Sequence, residues 1–278
     1  MQQIVPRLST DQFARLARIV YEDSGIFLAE SKHGLLTARI NSRLRALGLG
    51  DYAGYCEFLD GPGGAAERRR LLVAITTNVT AFFREAHHFA LLAETILPPL
   101  IARAKSGGRV RLWSSACSSG EEAYSIAMIV LERFPEAARY DFRILATDID
   151  PEMIARAKQG EYDGPALRGL SENRRTKFFT EIGGRFHTRA VLKKLLCFGE
   201  LNLHGDWPFS RRFDVIFCRN VVIYFDIPTR QRLWKRFAEL LYPEGYLMIG
   251  HSERIDGPAA ARFRSVGTTA YQVVPATT

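Results

Sequence analysis

The stretch from Arg109 to Ser125, RVRLWSSACSSGEEAYS, decides how the rest of the sequence is interpreted. Its apolar residues Val110, Leu112 and Trp113 are typical of a short strand, and a polar turn of small residues, Ser114–Gly120, follows at once. Glu121 then opens an amphipathic helix. A strand, a tight turn and a helix N-terminus in this order let a ligand approach backbone N–H groups closely.

The chemistry of this turn limits the kinds of ligand that it can bind. Glu121 and Glu122 place two carboxylates at the helix start, where they would repel a phosphate. A ligand with hydroxyl groups, an amine or a positively charged sulfur fits better. Gly120 is the only glycine of the turn, so the three-glycine pattern of dinucleotide-binding sites is absent. An ordinary βα connection without any ligand remains the alternative at this point.

Length and composition predict a protein of about two domains without a membrane span. The chain has 278 residues, 47% of them hydrophobic, but no run of about 18 apolar residues. Its start, MQQIVPRLSTDQF, lacks the basic and apolar regions of a secretory signal. The cysteines, Cys56, Cys117, Cys197 and Cys218, show no CxxC spacing, which argues against zinc and against a disulfide scaffold. We therefore expect a cytoplasmic protein with reduced thiols and no metal.

The charge balance predicts an acidic partner. The chain carries 38 Lys and Arg against 30 Asp and Glu, a formal net charge of +8. Such an excess suits either a nucleic acid or an acidic protein surface. The alternative is that the charge only aids solubility.

Residues 1–75 are predicted to form a small all-helical domain, because apolar residues recur at helical spacing between cap and stop signals. Ser9 or Thr10 can cap the first helix, and glycines end the second and third. The predicted helices run from Thr10 to Tyr21, Ser31 to Gly48, Asp51 to Leu59 and Glu67 to Ile75.

Residues 76–278 are predicted to form an α/β domain with a doubly wound parallel sheet and a terminal antiparallel hairpin. The segment Thr76–Glu85 precedes the first strand. Its start is β-branched, and a helix is predicted to follow within it. The further predicted strands are DFRILATDID, LLCFGELNL, FDVIFCRNVVIYF, YLMIG and the hairpin Phe263–Val266 with Ala270–Val274. A helix from Pro228 to Leu241 lies between two of them. The alternation of strands and helices fails at about 161–197, which we interpret as a small β insertion with a hairpin at Gly183-Gly184.

Polar residues stand at successive strand ends of this predicted sheet. Asp148 ends the second strand, where an acidic side chain can accept hydrogen bonds from ribose hydroxyls. Asn202 and Asn220 follow two later strands. Because ligands of such sheets bind at the carboxyl ends of the strands, we expect these residues and the small-residue turn to converge.

Five segments together resemble those of the chemotaxis receptor protein-glutamate methyltransferases, the CheR-like family. They are TTNVTAFFRE, WSSACSSGEEAYS, ATDID, FCRNVVIYFD and LYPEGYLMIGHSE, they occur in the family's order, and the resemblance covers nearly the whole chain. The combination of FFRE with CRNVVIYF is specific, whereas the PEG turn alone marks a generic methyltransferase. The resemblance implies a class I methyltransferase sheet behind a helical substrate-recognition domain.

The resemblance also implies S-adenosylmethionine as cofactor and S-adenosylhomocysteine as product. The cofactor-binding residues that it implies are Asn78, Thr80, Arg84, Glu122, Asp148, Asn202, Leu203, Arg219 and Asn220. Of these, Glu122 and Asp148 would hold hydroxyl and amino groups, and Asn202 with Leu203 would border the adenine. Arg219 and Asn220 would line the methionine side.

The implied reaction needs no general base. A glutamate side chain has an ordinary pKa of about 4.3, so the substrate is already an anionic nucleophile at neutral pH. Positioning is then the main catalytic effect, and Arg84, Arg219 and Tyr224 are the expected orienting groups. We expect packing or capping roles for His87, His88 and His251, because adjacent histidines on a helix point to different faces.

The expected substrate is the set of acidic cytoplasmic helices of chemoreceptors. Lys32, Arg39 and Arg43 form one basic stripe on the second helix and would steer such a helix, although a solvated helix face is the alternative. A nucleic-acid partner is disfavoured because no Asp/Asn-Pro-Pro-Tyr group is present to bind a flipped base. A non-catalytic cofactor-binding module is the other alternative. We expect a monomer without membrane insertion. We also expect that the enzyme does not depend on a receptor C-terminal peptide docked at the hairpin Thr180–Val191, although the resemblance implies that such a hairpin can bind one.

Overall fold

A computed structural model describes residues 7–274 of the protein. The chain divides into two compact units. The first unit consists of the residues up to Thr77 together with Tyr224–Thr229, and the second of Asn78–Ile223 and the residues from Arg230 onward. Residues 1–6, which begin the segment MQQIVPRLSTDQF examined for a secretory signal, lie outside the described residues.

The first unit is helical. Its helices are α1 (Thr10–Ser24), α2 (His33–Leu47), α3 (Tyr52–Asp60) and α4 (Gly64–Ile75), with a 3-10 turn at Glu30–Lys32 before α2. Ser9 caps α1 in a reciprocal capping box with Gln12, as its position in the sequence predicts. Asp51 caps α3 by accepting a hydrogen bond from the Gly54 N–H at 2.8 Å.

A short segment from much later in the chain, Tyr224–Thr229, belongs to this helical unit. The Tyr21 hydroxyl donates to Asp226 at 3.0 Å, and the Phe27 N–H donates to the Tyr224 carbonyl at 2.8 Å. An isolated β-bridge joins Ile26 to Phe225. These contacts are between residues far apart in sequence, and no local pattern predicts them.

An ion pair on α2 and α4 fixes the interior of the helical unit. The Arg43 guanidinium donates through two nitrogens to the two carboxylate oxygens of Glu67, both at 2.8 Å. The Tyr55 hydroxyl donates to the same carboxylate at 2.9 Å, and the Glu67 side chain is 1% exposed. Burial, and next the charge of Glu67, raise the pKa of Tyr55, which therefore stays protonated and donates.

The second unit contains a seven-stranded sheet of order β6-β2-β1-β7-β8-β10-β9. The strands of the unit are β1 (Val110–Ser114), β2 (Phe142–Asp148), β3 (Glu161–Tyr162), β4 (Phe179–Ile182), β5 (Arg185–Thr188), β6 (Leu196–Glu200), β7 (Phe213–Cys218), β8 (Leu241–Ile249), β9 (Phe263–Gly267) and β10 (Ala270–Val273). The first five strands of the sheet are parallel, and β10 pairs antiparallel with both β8 and β9. The predicted doubly wound α/β class with a terminal hairpin is confirmed.

Helices flank this sheet, and the strand order reverses between β1 and β7. The helices are α5 (Ala86–Leu91), α6 (Leu97–Lys105), α7 (Glu121–Arg133), α8 (Pro151–Gln159), α9 (Glu172–Phe178), α10 (Ala190–Lys193) and α11 (Ile227–Leu240), with a π-helical turn Leu92–Ile96 between α5 and α6. At such a reversal the connections leave in opposite directions, so a crevice opens beyond the carboxyl ends of the two strands.

The predicted β insertion is present as a three-stranded antiparallel sheet of order β3-β5-β4. Arg174 on α9 ties the insertion to the main sheet domain. Its guanidinium pairs with Glu132 of α7 through hydrogen bonds of 2.8 and 2.9 Å and lies 3.9 Å from the centre of the Phe83 ring. The hairpin turn uses Gly183 and Gly184, both with positive φ angles.

Two local predictions were wrong for the same physical reason. The helix predicted in Thr76–Glu85 begins only at Ala86, because Phe83 and Glu85 have φ angles of 55° and 58°. The strand predicted to continue to Phe225 stops at Cys218, because Asn220 has a φ of 59° and the chain then makes a 3-10 turn, Val222–Tyr224. Left-handed backbone interrupts both helices and strands.

In residues 7–274, none of the helices has the length and apolar character that crossing a membrane requires.

We expect Arg43→Ala to lower the free energy of unfolding of the helical unit by about 3–5 kcal/mol, because it leaves the buried Glu67 carboxylate without its cation. Arg39, on the same helix, is exposed, and Arg39→Ala should change this free energy by no more than about 0.5 kcal/mol. Urea unfolding of both full-length variants, followed by circular dichroism, measures the difference. Equal destabilisation by the two substitutions would contradict the structural role of Arg43.

Candidate functional site

The turn between β1 and α7 lies at the carboxyl edge of the sheet and is held by its neighbouring strands. Ser115 donates through its N–H and its hydroxyl to the Phe217 carbonyl of β7, at 2.8 and 2.9 Å. The Cys117 N–H donates to the Thr147 carbonyl of β2 at 2.9 Å. Gly120, with a φ of 99°, completes the turn, and a Cβ there would lie 3.0 Å from the Ala157 side chain. The turn is therefore rigid before any ligand binds.

Asp148 ends β2 and faces this turn. One carboxylate oxygen accepts the Ser118 N–H at 2.8 Å and the other accepts the Asp150 N–H at 3.0 Å. Burial raises the pKa of Asp148, and these backbone hydrogen bonds oppose the rise. A carboxylate offers about four lone-pair sites, so Asp148 keeps acceptor capacity for ligand hydroxyls after binding both N–H groups.

The segment that carries Asn78, Thr80 and Arg84 is anchored to the same edge. The Asn78 amide donates to Asp150 at 3.0 Å, and the Asn78 carbonyl accepts the Ser118 hydroxyl at 3.3 Å. The Phe83 N–H donates to the Ser125 hydroxyl of α7 at 3.0 Å. Arg84 folds back onto its own segment, with its guanidinium 3.1 Å from the Val79 carbonyl. The structure thus brings this segment to the turn that the sequence identified.

Arg219 is the central charge of the site. It follows β7 and is 6% exposed, and its guanidinium lies 3.2 Å from Glu122 and 3.6 Å from Glu85. It also donates to the Arg84 carbonyl. Glu122 in turn accepts the Ser114 hydroxyl at 2.6 Å, and Glu85 accepts the Asn220 amide at 3.4 Å. The ends of β1 and β7 and the segment before α5 are therefore connected through one buried guanidinium.

The pKa values of the two carboxylates beside Arg219 shift in opposite net directions. Burial raises the pKa of Glu122 and outweighs the opposing effect of Arg219. For Glu85, burial also acts upward, but Arg219 and hydrogen bonds from His251 and Asn220 outweigh it and lower the pKa. Burial likewise raises the pKa of Glu121, the residue before Glu122. A positively charged ligand near Glu121 and Glu122 would favour their ionised forms.

His88 is fully buried, and its imidazole contacts the turn between β9 and β10. Its Nε2 lies 3.2 Å from the Thr268 carbonyl, which can only accept, so Nε2 carries the proton. Burial lowers the pKa of His88 to about 4, and the imidazole is therefore neutral at physiological pH. His87 and His251 are exposed. Nε2–H donation by a neutral ring fits the structural role that the sequence predicted for His88.

The loop after β6 contains Asn202 and Leu203. The Asn202 side chain accepts the His204 N–H at 2.9 Å, and Leu203 is buried. Arg236 of α11 holds this loop by donating to the Leu203 carbonyl at 2.9 Å and to the Gly205 carbonyl at 2.7 Å. Sequence reasoning missed Arg236, because nothing in the pattern of an amphipathic helix distinguishes it from an exposed arginine.

The remaining predicted site residues lie in the helical unit. Tyr224 ends the 3-10 turn Val222–Tyr224 and is partly buried. Lys32 and Arg39 are exposed, but Arg43 is bound to Glu67 and is 19% exposed at its side chain. Within residues 7–274, Lys32 and Arg39 of the basic stripe have no ion-pair partner, whereas the buried carboxylate of Glu67 on α4 binds Arg43, the third cation that helical spacing suggests.

The side chains at the carboxyl edge of the sheet suit a cofactor that carries hydroxyl groups and positive charge. Carboxylates outnumber guanidinium groups here. Burial raises the pKa of the Cys117 thiol, and the nearby charges of Asp148, Glu122 and Glu121 raise it further. Such a set repels a nucleotide phosphate and suits the sulfonium and ammonium groups of S-adenosylmethionine. The fold and this set of residues define a class I methyltransferase domain.

Comparison with known proteins gives the family. The family model described as "CheR methyltransferase, SAM binding domain" matches residues 78–272, and "CheR methyltransferase, all-alpha domain" matches residues 11–76. The chain belongs to this family of S-adenosylmethionine-dependent chemotaxis protein methyltransferases. The family membership that the sequence motifs implied, and the cofactor, are thereby confirmed.

Curated relatives are similar over most of their length. A probable chemotaxis protein methyltransferase of Rhizobium etli is 51% identical over 258 residues, which is 91% of this chain and 96% of the relative. The chemotaxis protein methyltransferase of Borreliella burgdorferi is 40% identical over 256 residues, 90% of each chain. That of Escherichia coli is 38% identical over 269 residues, 95% of this chain and 91% of the relative.

Asp148→Ala should weaken the binding of S-adenosylmethionine by at least about tenfold, because each lost hydrogen bond to a charged group costs about 1.5–3 kcal/mol. Asp141→Ala is the matched control, since Asp141 is an exposed carboxylate just before the same strand and pairs with Arg111. Calorimetric titration of both folded variants gives the dissociation constants. Wild-type affinity in Asp148→Ala would remove Asp148 from the cofactor site.

Proposed function

We propose that this enzyme transfers the methyl group of S-adenosylmethionine to glutamate side chains on the cytoplasmic helices of chemoreceptors. The products are glutamyl methyl esters and S-adenosylhomocysteine, and the activity is that of a protein-glutamate O-methyltransferase in chemotactic adaptation. The observation that carries the proposal is the carboxylate-rich edge organised by Arg219, in a chain that belongs to the chemotaxis methyltransferases.

The proposed cofactor contacts use the residues at this edge. Asp148 and Glu122 would bind hydroxyl and amino groups, Asn202 and Leu203 would border the adenine, and Arg219 and Asn220 would line the methionine side. Asn78, Thr80 and Arg84 would close the site from the segment before α5. This assignment agrees with the placement of Asn78, Asp148 and Arg219 around the rigid β1–α7 turn.

The proposed mechanism relies on positioning. S-adenosylmethionine would supply a methyl group on a sulfonium sulfur, which is a good leaving group, so the substrate carboxylate needs no base. Arg84 and Tyr224 would orient that carboxylate, a contribution that can reach about 7–11 kcal/mol for well-aligned groups. Burial lowers the pKa of His88 to about 4, so its imidazole is a weak proton acceptor, which supports a mechanism without a histidine base.

A methyl-labelling experiment tests the proposed reaction. With methyl-labelled S-adenosylmethionine and purified receptor cytoplasmic fragments, label should enter the receptor and be released as methanol by mild base, as esters require. Fragments whose glutamates at the labelled positions are replaced by glutamine should take up no label there. Base-stable label, or label that enters nucleic acid instead of the receptor, would refute the proposal.

The same assay tests the orienting residues. Arg84→Ala and Tyr224→Phe should each lower the turnover number by about tenfold or more, equivalent to about 1.4 kcal/mol in the barrier. His87→Asn is the matched control, because His87 is exposed and has no proposed contact with substrate. If His87→Asn abolished transfer while folding and cofactor binding survived, the base-free mechanism would be wrong.

The exposed part of the basic stripe is proposed to steer the acidic receptor helix. Lys32→Glu with Arg39→Glu should leave S-adenosylmethionine affinity intact and raise the KM for the receptor by about tenfold or more, since the attraction becomes repulsion. Added salt should weaken the wild type and affect the double variant much less. Arg43 is left unchanged because its loss would disturb the helical unit. Equal KM values for both proteins across the salt series would show that the stripe is an ordinary solvated face.

A further inference from the structure

Glu253, the last residue of the segment LYPEGYLMIGHSE, is a buried carboxylate beside the site. It follows β8 and is 3% exposed. One of its oxygens accepts the Val222 N–H at 3.0 Å, and the other accepts the Gly250 N–H at 2.5 Å. Burial raises the pKa of Glu253, and backbone N–H groups that include those of Asn220 and Val221 oppose the rise. One carboxylate thus accepts hydrogen bonds from the turns that follow two adjacent strands, β7 and β8.

The turn after β7 needs such an acceptor. The strand ends at Cys218, and Asn220 then adopts a φ of 59°, which non-glycine residues rarely do. The Val222 N–H donates to the Glu253 carboxylate, and the backbone N–H groups of Asn220 and Val221 act to lower the pKa of Glu253. Buried N–H groups without an acceptor are rare in folded proteins, so the carboxylate supplies what the interrupted strand pairing cannot.

Gly250 shows how closely the two turns approach. A Cβ at this position would lie 2.6 Å from the Asn220 side-chain nitrogen, 2.8 Å from its backbone nitrogen and 2.9 Å from a Glu253 oxygen. Atoms at such distances overlap, so any larger residue at Gly250 must displace Asn220, Glu253 or both. The position of Asn220 is therefore limited by its close approach to Gly250, whose own N–H is bonded to Glu253.

We infer that Glu253 is a positioning residue for the cofactor site. It holds the turn that carries Arg219 and Asn220, the first bound to Glu122 and Glu85 and the second to Glu85. Glu253 acts through these residues and contacts no reacting atom. The inference rests on the proposed cofactor contacts of Arg219 and Asn220 and is independent of which group accepts the methyl.

Glu253→Gln tests this role, because the amide has the shape of the carboxylate but turns an NH2 group toward backbone donors. The affinity for S-adenosylmethionine should fall by about tenfold or more, as expected for lost hydrogen bonds to a charged acceptor. Asp214→Asn is the matched control. Asp214 lies at the opposite end of β7, is 4% exposed and accepts the Arg111 N–H at 2.8 Å. It should lose thermal stability and keep wild-type affinity.

Calorimetry on the folded full-length variants, together with their melting temperatures, separates positioning from stability alone. If Glu253→Gln lost stability like Asp214→Asn but bound S-adenosylmethionine as the wild type does, the inference would be refuted. Gly250→Ala provides a second test that keeps the carboxylate and displaces the same turn, and it should also bind at least about tenfold more weakly. A folded Gly250→Ala with wild-type affinity would overturn the inference even if Glu253→Gln did not fold. Because cofactor binding needs no methyl acceptor, these outcomes are distinct from a failure of receptor methylation.

Discussion

The ion pairs of Arg219 with Glu122 and Glu85 are the interaction on which the cofactor site depends. A buried guanidinium without partners is strongly unfavourable, and so is a buried carboxylate, so the three groups must remain together. They join the start of α7, the residue after β7 and the residue before α5. Each of these elements carries residues of the proposed cofactor site. The ion pairs therefore fix the relative position of elements that are far apart in sequence.

Carboxylates in excess also determine what can bind at this edge. Glu121, Glu122 and Asp148 are all buried enough for their pKa values to rise, so each carries a desolvation cost when ionised. A ligand with positive charge lowers this cost, whereas a phosphate increases it. The same α/β topology that binds dinucleotides in other proteins is thus suited here to a sulfonium cofactor. The selectivity lies in the side chains of the turn rather than in the fold.

The sequence predicted the fold well because its signals are local. The apolar run Val110–Trp113, the small-residue turn and the acidic helix start are contiguous, and the alternation of strands and helices repeats this pattern along the chain. The sequence predicted Asp148 at the end of the second strand, where the structure has it. Arg219 lay inside the predicted strand FDVIFCRNVVIYF but directly follows β7 in the structure. The parts that were wrong, in Thr76–Glu85 and after Cys218, are those where non-glycine residues adopt left-handed backbone. The backbone preferences of non-glycine residues disfavour that conformation, and only tertiary contacts stabilise it at these positions.

Other features could not be predicted because they depend on partners distant in sequence. Arg43 looked like a surface cation, since helical spacing shows which face a residue occupies but not the carboxylate on another helix. Glu253 and Arg236 form hydrogen bonds with backbone groups of remote loops. Every residue type has such backbone groups, so the sequence pattern does not reveal these bonds. The addition of Tyr224–Thr229 to the helical unit is likewise a long-range pairing.

A double-mutant cycle on Glu122 and Arg219 tests the central claim most directly. The dissociation constant of S-adenosylmethionine would be measured by calorimetry for Glu122→Gln, Arg219→Met and the double variant, each shown to be folded. If the guanidinium organises the carboxylate for cofactor binding, each single change weakens binding and the double change costs less than their sum. The expected coupling is about 1–3 kcal/mol, as for charged groups in direct contact. Additive effects would show that the two residues act independently and would contradict the account.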